Sequence, residues 1–321
     1  MKIIALEEAF SVPSMATHDA ALHQPQAFRP DYLTDLERRL PDFTDLRLKD
    51  MDEHGVDVQV LSLTNPGVQM QPDPAVAVSD AKLVNDVLAG VVHENPTRFA
   101  GLAAVPLQDP AAAVRELDRA VNDLGLSGVL VNGHTLGHYL DEPRFSPFWE
   151  ALTGIDVPLY LHPNSAPTGW PLFEGRPELM GPTYAWAAEN GGHALRLISS
   201  GLFDRFPTAK VILGHMGELL PFHLSRVDIR LPYIDTEVKL ARKPSEYFAE
   251  NFTITTSGVM ATSALLGAVL AVGIDNICFA VDYPYESTSQ AVDFLRDLPL
   301  NDADLHKISH GNAERLLRLA A

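Results

Sequence analysis

The sequence predicts a single (β/α)8 TIM barrel of the α/β class. Eight short runs are β-branched and almost continuously apolar, as strands buried on both faces should be. Helical patterns lie between most of these runs, and no change in composition marks a linker. Eight alternations of strand and helix within 321 residues are typical of one closed barrel.

The predicted elements follow one another in chain order. The eight predicted strands are residues 2–6, 56–63, 99–105, 127–132, 157–162, 210–215, 252–257 and 277–282. Four helical patterns stand out between them, at residues 80–95, 109–125, 194–206 and 263–273. Asp109 is a suitable N-cap for the second, because Pro110 follows it at the first helical position. Pro or Gly terminates each of the four patterns.

We expect one domain, residues 1–321, with two long segments over the catalytic face. Residues 11–46 follow the first strand and residues 163–190 follow the fifth, and both exceed the usual βα-loop length. Packing against a neighbouring subunit is an equally good interpretation of them. A doubly wound open sheet is the alternative fold, but the glycine-rich first turn typical of that fold is missing after the first strand.

Charge and cysteine content narrow the classes of partner. The formal net charge is -18, which disfavours binding to nucleic acid or to anionic membranes. An anionic substrate would then need a local positive centre. The lone Cys278 forms no intrachain disulfide, and Glu7 and Glu8 fall where the apolar core of a leader peptide would lie. We therefore expect a cytoplasmic protein.

Polar side chains end several of the predicted strands. Glu7, His162, His215 and Asp282 end the first, fifth, sixth and eighth strands, while Asn132, Thr256 and Ser257 end two others. A lone histidine in such a position is more often structural. A barrel, however, gathers all these ends on one rim, and the mixed oxygen and nitrogen donors suit a divalent metal.

Five motifs at these strand ends carry a family resemblance. They are LEEAF at 6–10, YLHP at 160–163, GHMGE at 214–218, TTSG at 255–258 and VDYPYE at 281–286. In this order they resemble the amidohydrolase-related decarboxylases, most closely the γ-resorcylate and 2,3-dihydroxybenzoate decarboxylase group. The similarity runs from residue 3 to NAERLL at 312–317, and it implies a (β/α)8 barrel of the amidohydrolase type.

The resemblance implies a role for each matching residue. Glu7, His162 and Asp282 correspond to the family's metal ligands, and Asp282 also to its catalytic acid. His215 and its supporting carboxylate Glu218 correspond to catalytic residues beside the metal. The implied substrate-binding residues are Arg226, which lies eleven positions after His215, together with Asn132 and Thr64. Without the resemblance, Arg226 would be read as a solvated helix residue.

One departure from the hydrolytic relatives concerns Ala9. Hydrolases of this superfamily usually end the first strand in His-x-His, whereas this chain has Glu7, Glu8 and Ala9. Glu8 does not replace the missing ligand, because neighbouring side chains on a strand point to opposite faces. The remaining donors are rich in oxygen and suit Mn²⁺, with Mg²⁺ or Zn²⁺ as alternatives.

The resemblance implies a lyase of aromatic-compound catabolism that removes CO₂ from a hydroxylated benzoate without oxidation. In that reaction one divalent metal would chelate the carboxylate and the ortho phenolate, and Asp282 would protonate the ring carbon. A mononuclear hydrolase of a lactone or amide is the alternative, and a non-catalytic protein that binds aromatic acids is a third class. The resemblance also implies a small aromatic carboxylate as substrate and a homodimer or homotetramer as assembly.

Overall fold

A computed structural model describes residues 1–15, 28–167 and 169–319. Eight parallel strands form its centre, in two sheets of order β1-β2-β3 and β4-β5-β6-β7-β8. The strands are β1 Ile4–Phe10, β2 Val58–Leu63, β3 Phe99–Gly101, β4 Val129–Asn132, β5 Leu159–His162, β6 Val211–Leu213, β7 Phe252–Thr255 and β8 Ile277–Cys278. The predicted α/β class with parallel strands is confirmed.

Isolated backbone hydrogen bonds join the two sheets at both seams. The Leu6 N–H donates to Phe279 O at 3.1 Å, next to β8, and the Ala103 N–H donates to Gly128 O at 2.8 Å, between β3 and β4. The eight strands therefore follow one another around a ring, as in a barrel, although no ladder crosses either seam. An open doubly wound sheet would leave its two edge strands apart.

Helices cover the outside of this ring. They are α1 Pro30–Arg39, α2 Leu46–His54, α3 Pro74–Glu94, α4 Pro110–Asp118, α5 Ser146–Ile155, α6 Ala185–Ser199, α7 Leu202–Arg205, α8 Leu224–Arg230, α9 Pro244–Asn251, α10 Thr262–Val272, α11 Thr288–Arg296, α12 Asp302–His306 and α13 Asn312–Leu317. The four residues 215–218 form a separate kinked helical turn after β6. Among the described residues, no helix is long and apolar enough to cross a membrane.

The helix ends follow the local sequence. Asp109 caps α4 as predicted, since its side chain accepts a hydrogen bond from the Ala112 N–H. Asp73 caps α3 in the same way, so that helix begins six residues before the predicted start at residue 80. The predicted helix at 194–206 is two helices, α6 and α7, because Gly201 between them adopts a left-handed conformation with φ 69°.

Alternate strand residues build two separate apolar clusters. Ile4, Val60, Leu130 and Ile212 belong to the cluster inside the ring. Their chain neighbours, such as Leu61, Val131 and Leu213, belong to the larger cluster that packs against the helices. This two-residue period is the reason the strands read as continuously apolar.

The two long segments contain more structure than predicted. The segment 11–46 includes α1, and its residues 16–27 lie outside the described part of the chain. The segment 163–190 contains three short 3₁₀ turns, Pro171–Phe173, Pro177–Leu179 and Gly181–Thr183, before α6 begins at Ala185. Both segments contribute residues to one cavity.

Candidate active site and metal centre

A cavity of about 200 Å³ lies at the carboxyl ends of the strands. His162, His215 and Asp282 line it from the ends of β5, β6 and β8. The two long segments supply walls, with Phe28 and Tyr32 from one and Trp186 close to the end of the other. The barrel's catalytic face is where such a cavity is expected.

Glu7 lies beside this cavity with one carboxylate oxygen that accepts no hydrogen bond. Its Oε2 accepts hydrogen bonds from the Tyr160 hydroxyl and, at 3.3 Å, from the Thr255 hydroxyl. Its Oε1 is buried and has no hydrogen-bond partner among the described residues. Burial opposes the charged form, but His215 and His162 outweigh it and lower the pKa of Glu7. A buried, ionised oxygen without a partner is costly unless a cation or a donor meets it.

His162 presents a lone pair to that oxygen. Its Nδ1–H donates to Pro163 O at 2.9 Å, so Nε2 is the unprotonated nitrogen of the neutral ring. Nε2 lies 3.5 Å from Glu7 Oε1. Burial lowers the pKa of His162 to about 4, which keeps the imidazole neutral. A backbone carbonyl that fixes the distal N–H is the usual support of a metal-bound histidine.

His215 sits on a turn of left-handed residues. Its φ is 49°, and Met216, Gly217 and Glu218 follow with φ of 56°, 79° and 51°. This backbone folds Glu218 back under the ring, where Oε1 accepts from His215 Nδ1 at 2.8 Å. Non-glycine residues in this region are strained, and such strain is concentrated at functional sites.

The other nitrogen of His215 faces two acids. Nε2 lies 3.7 Å from Glu7 Oε1 and 3.6 Å from Asp282 Oδ2. Burial disfavours the imidazolium, but Glu218 and Glu7 outweigh burial and hold the pKa of His215 well above its usual range. In the protein alone, His215 therefore carries a proton between the two carboxylates.

Asp282 follows β8 with φ 77°, another strained position. Burial raises the pKa of its carboxyl to about 6, while the hydrogen bond to His215 opposes the rise. The backbone on either side is held by Glu8, whose carboxylate accepts from the Val281 N–H at 3.0 Å and from the Tyr283 N–H at 3.3 Å. Asp282 is thus fixed by its flanking peptide groups.

Glu8 and Arg47 form a buried polar layer behind the cavity. Arg47 is fully buried on α2 and donates to Ala9 O at 2.6 Å and to Gln59 Oε1 at 3.0 Å. Its guanidinium lies 4.5 Å from the centre of the Tyr283 ring. Burial raises the pKa of Glu8 to about 8 in spite of its hydrogen bonds and of Arg47. Glu8 faces away from the cavity, as the strand alternation predicted.

The four donor groups converge without yet closing around one point. As the side chains stand, no group of three or more His, Cys, Asp or Glu in the described residues is arranged to hold a metal. The 3.5 Å between Glu7 Oε1 and His162 Nε2 exceeds the ~3.0 Å between adjacent ligands of an octahedral ion with ~2.1 Å bonds. A shift of about half an ångström would bring this pair to that separation. The chemistry of the donor set fits a divalent cation, because Oε1 is unpaired and His162 is neutral.

The three predicted substrate-binding residues lie in different surroundings. Thr64 lines the cavity, and its hydroxyl lies 2.5 Å from the Tyr285 hydroxyl. Asn132 is buried behind the lining, with Nδ2 at 3.4 Å from Leu63 O and Oδ1 unpaired within the described structure. Arg226 is exposed on α8 and is not among the residues that line the cavity. Its predicted contact with substrate stays a prediction.

Several residues in or directly behind the cavity were not identified from the sequence. Tyr160 and Tyr285 belong to the YLHP and VDYPYE motifs, yet neither hydroxyl was given a role. Tyr160 precedes His162 by two positions on the same face of β5, which is the signal that could have found it. Tyr32 lies on α1 and donates to Tyr285 O at 3.2 Å, a contact that no local pattern indicates.

A ring of parallel strands with histidines and carboxylates gathered at its carboxyl rim defines a barrel enzyme of the metal-dependent kind. A family model described as amidohydrolase matches residues 18–319. The chain belongs to the amidohydrolase family.

Named relatives and solved structures agree with this membership. Gamma-resorcylate decarboxylase of Rhizobium sp. (strain MTP-10005) is 44% identical over 326 residues, which cover 98% of each chain. The crystal structure of 2,6-dihydroxybenzoate decarboxylase in complex with 2,6-dihydroxybenzoate has a TM-score of 0.92 at 42% identity and covers 99% of this chain and 100% of that one. The dihydroxybenzoic acid decarboxylase of Polaromonas sp. JS666, with bound manganese and the inhibitor 2-nitroresorcinol, has a TM-score of 0.91 at 41% identity, covering 99% and 97%. The predicted family is confirmed.

Proposed function

We propose that this protein is a metal-dependent decarboxylase of a hydroxylated benzoate, of the γ-resorcylate or 2,3-dihydroxybenzoate type. The observation that carries the proposal is the buried Glu7 Oε1, which accepts no hydrogen bond and faces His162 and His215 beside an aromatic-walled cavity. The relatives at more than 40% identity are named decarboxylases of such acids, and solved structures contain the substrate 2,6-dihydroxybenzoate or manganese.

Glu7, His162 and Asp282 would hold one divalent cation, most suitably Mn²⁺. The cation supplies positive charge for an anionic substrate inside a protein of net charge -18. Tyr160 orients Glu7 through Oε2, and Pro163 O orients His162 through Nδ1, so that Oε1 and Nε2 remain available. These supporting contacts are of the kind that fix ligand orientation and basicity.

In the proposed reaction, Asp282 gives its proton to the ring carbon that bears the carboxylate. The bond between that carbon and the carboxylate then breaks, its electron pair returns to the ring, and CO₂ leaves. His215, backed by Glu218, returns a proton to Asp282, since Nε2 lies 3.6 Å from Oδ2. Thr64, Asn132 and Arg226 are proposed to bind the substrate.

The proposed catalytic unit is one domain spanning residues 1–321 in a cytoplasmic homo-oligomer. The two segments 11–46 and 163–190 would cover the bound ring. Tyr32, Leu36 and Trp186 support this role, because all three line the cavity. An aromatic and apolar wall excludes water from the ring carbon at which the proton arrives.

The test is release of CO₂ from a panel of hydroxybenzoates by manganese-loaded protein, with a chelated sample as control. Asp282→Asn is expected to abolish turnover, while Asp293→Asn, the same change on the exposed side of α11, keeps it. Metal content is measured in both variants. Wild-type turnover by a metal-loaded Asp282→Asn variant would refute the assignment. Lactone cleavage without CO₂ would indicate the alternative hydrolase.

A further inference from the structure

One helix packs closely against the turn that carries His215. On α6, Gly191 lies beside this turn, because a Cβ placed on the glycine would lie 2.6 Å from Glu218 O. A backbone oxygen cannot move aside as a flexible side chain can, so any larger residue would displace the turn. A Cβ on the next residue, Gly192, would meet nothing within 4 Å. The close approach to Glu218 is therefore specific to position 191.

Asn190, also on α6, places its amide between two elements of the site. Its Nδ2 donates to Leu161 O at 3.0 Å and to Glu218 Oε1 at 3.1 Å, and the side chain is buried. Leu161 directly precedes His162 on β5. Glu218 Oε1 is the oxygen that also accepts from His215 Nδ1 at 2.8 Å. One amide group therefore links β5 to the carboxylate that supports His215.

The two acceptors determine the orientation of this amide. A carbonyl and a carboxylate both lie next to Nδ2, so only the NH₂ end of Asn190 can face them. The Oδ1 of Asn190 is buried and has no hydrogen-bond partner in the described parts of the chain. The amide is thus oriented by Glu218 and Leu161 and not by a partner of its own oxygen.

A second asparagine makes the same kind of bridge away from the cavity. On α3, Asn85 Nδ2 donates to Ala104 O at 2.9 Å and to Glu116 Oε1 at 2.7 Å. Asn85 is as buried as Asn190, and neither Asn85 nor its two partners line the cavity. The carboxylate of Glu116 pairs with an arginine instead of a histidine of the site. This bridge is therefore a structural counterpart of the one at Asn190.

We propose that Asn190 is a positioning residue of the reaction and that it acts on the reacting groups only through Glu218. Its N–H holds Glu218 Oε1 where that oxygen accepts from His215 Nδ1, and Gly191 lets the helix come close enough for this contact. Asn190 itself is not among the residues that line the cavity. The inference rests on the proposed function, in which His215 returns a proton to Asp282.

A double-variant cycle in steady-state CO₂ release tests the proposal. Asn190→Leu keeps the approximate size of the side chain and removes its N–H groups, so kcat should fall about 10-fold or more with little change in KM. Glu218→Ala removes the carboxylate through which Asn190 acts, so adding Asn190→Leu to it should change kcat by about two-fold at most. Additive losses would overturn the proposal, because a general disturbance of the fold adds to the loss at Glu218.

Asn85→Leu is the matched control, since it makes the same change in the structural bridge. It should lower the free energy of unfolding as Asn190→Leu does, but it should keep kcat and KM close to the wild-type values. An equal fall of kcat in both variants would overturn the proposal. Mn²⁺ content is measured in every protein, and kcat is referred to the metal-loaded fraction.

A second pair of variants leaves the Asn190 side chain unchanged and serves also if Asn190→Leu does not fold. Gly191→Ala moves the helix away from Glu218 O and should lower kcat in the same way, whereas Gly192→Ala meets nothing and should keep it. Wild-type kcat in Asn190→Leu or in Gly191→Ala overturns this inference alone. A wild type that releases no CO₂ from any hydroxybenzoate overturns the proposed function as well.

Discussion

Replacing Arg47 by methionine should cost far more stability than the same change at Arg39. Both guanidinium groups lie 4.5 Å from the centre of the Tyr283 ring, so each variant loses one such contact. Arg47 is fully buried, whereas the Arg39 side chain is 24% exposed. Methionine keeps much of the apolar stem in both cases. The difference between the variants therefore measures burial of the charge and of its hydrogen bonds.

The expected loss in unfolding free energy follows from the contacts that each variant removes. Without Arg47, Ala9 O, Gln59 Oε1 and Asp42 O lose its donors, and the buried Glu8 loses its neighbouring cation. Each buried acceptor left without a donor costs about 1–3 kcal/mol, so the three together are expected to cost about 3–5 kcal/mol or more. Arg39 makes partly exposed pairs with Asp35 and Asp50, which are worth about 1 kcal/mol or less.

Urea unfolding at equal protomer concentration is the assay, because association also contributes to apparent stability. In a thermal scan, the same loss of about 3–5 kcal/mol should lower Tm by ~4–8 °C. This conversion uses 321 residues and an unfolding entropy of about 2.1 cal/mol/K per residue. Far-UV circular dichroism before unfolding checks that both variants are folded. If Arg47→Met lost no more stability than Arg39→Met, the structural importance given to the buried layer would be wrong.

Three further predictions concern protonation and the support of the site. Burial lowers the pKa of His193 to about 3, whereas the unfolded chain has a pKa near 6.5. The stability that the neutral ring provides is therefore complete above pH ~6.5. It is lost as the pH falls toward 3. In urea titrations, the free energy of unfolding of the wild type should fall by about 2 kcal/mol between pH 7 and pH 5, and that of His193→Gln should lack this fall. Equal losses in both proteins would contradict the prediction. Glu218→Gln should lower kcat about 10–100-fold with little change in KM, because His215 Nδ1 loses its charged acceptor. An unchanged pH profile of kcat would argue against proton transfer from His215 to Asp282. Tyr160→Phe should weaken Mn²⁺ binding by about 10–100-fold, measured by calorimetry, since Glu7 Oε2 loses its donor; unchanged affinity would show that the hydroxyl does not orient the ligand.

The convergence of residues at strand ends could be predicted from the sequence, because the carboxyl ends of parallel strands lie on one rim of a barrel. His162, His215 and Asp282 do line one cavity, and each follows an apolar run that is visible in the sequence. Contacts between distant segments are different. Tyr32 on α1 reaches Tyr285 only because α1 folds over the rim, and the composition of residues 11–46 predicted a loop rather than a helix.

The exposed position of Arg226 shows a second limit. Its spacing from His215 was the reason for predicting substrate contact, but residues 215–219 all have positive φ, and this irregular backbone changes the direction of the chain. Counting residues from a strand end gives a position in space only where the backbone is regular. The left-handed turn also explains how Glu218, three residues after His215, reaches the Nδ1 of its ring.

The first strand shows, in three consecutive residues, both what regular strand geometry predicts and what an irregular backbone changes. It was predicted to end at Leu6, but it continues to Phe10, and its register with β2 shifts by one residue between Ala5 and Glu8. Strict alternation would point Glu7 away from the ring interior that Leu6 occupies; the bulge lets both face inward. The Glu8 side chain then points away from the cavity, toward Arg47 and the Val281 N–H.

Ala9, the next residue, packs with Tyr32, Leu36, Leu40 and Tyr285. All four line the cavity, so α1 supplies an apolar wall at the position where hydrolytic relatives carry a second imidazole. Ala9 therefore contributes to the apolar wall and offers no ligand to the metal site. It leaves an oxygen-rich donor set beneath a cavity wall that suits an aromatic ring, and this combination favours decarboxylation of a benzoate over hydrolysis.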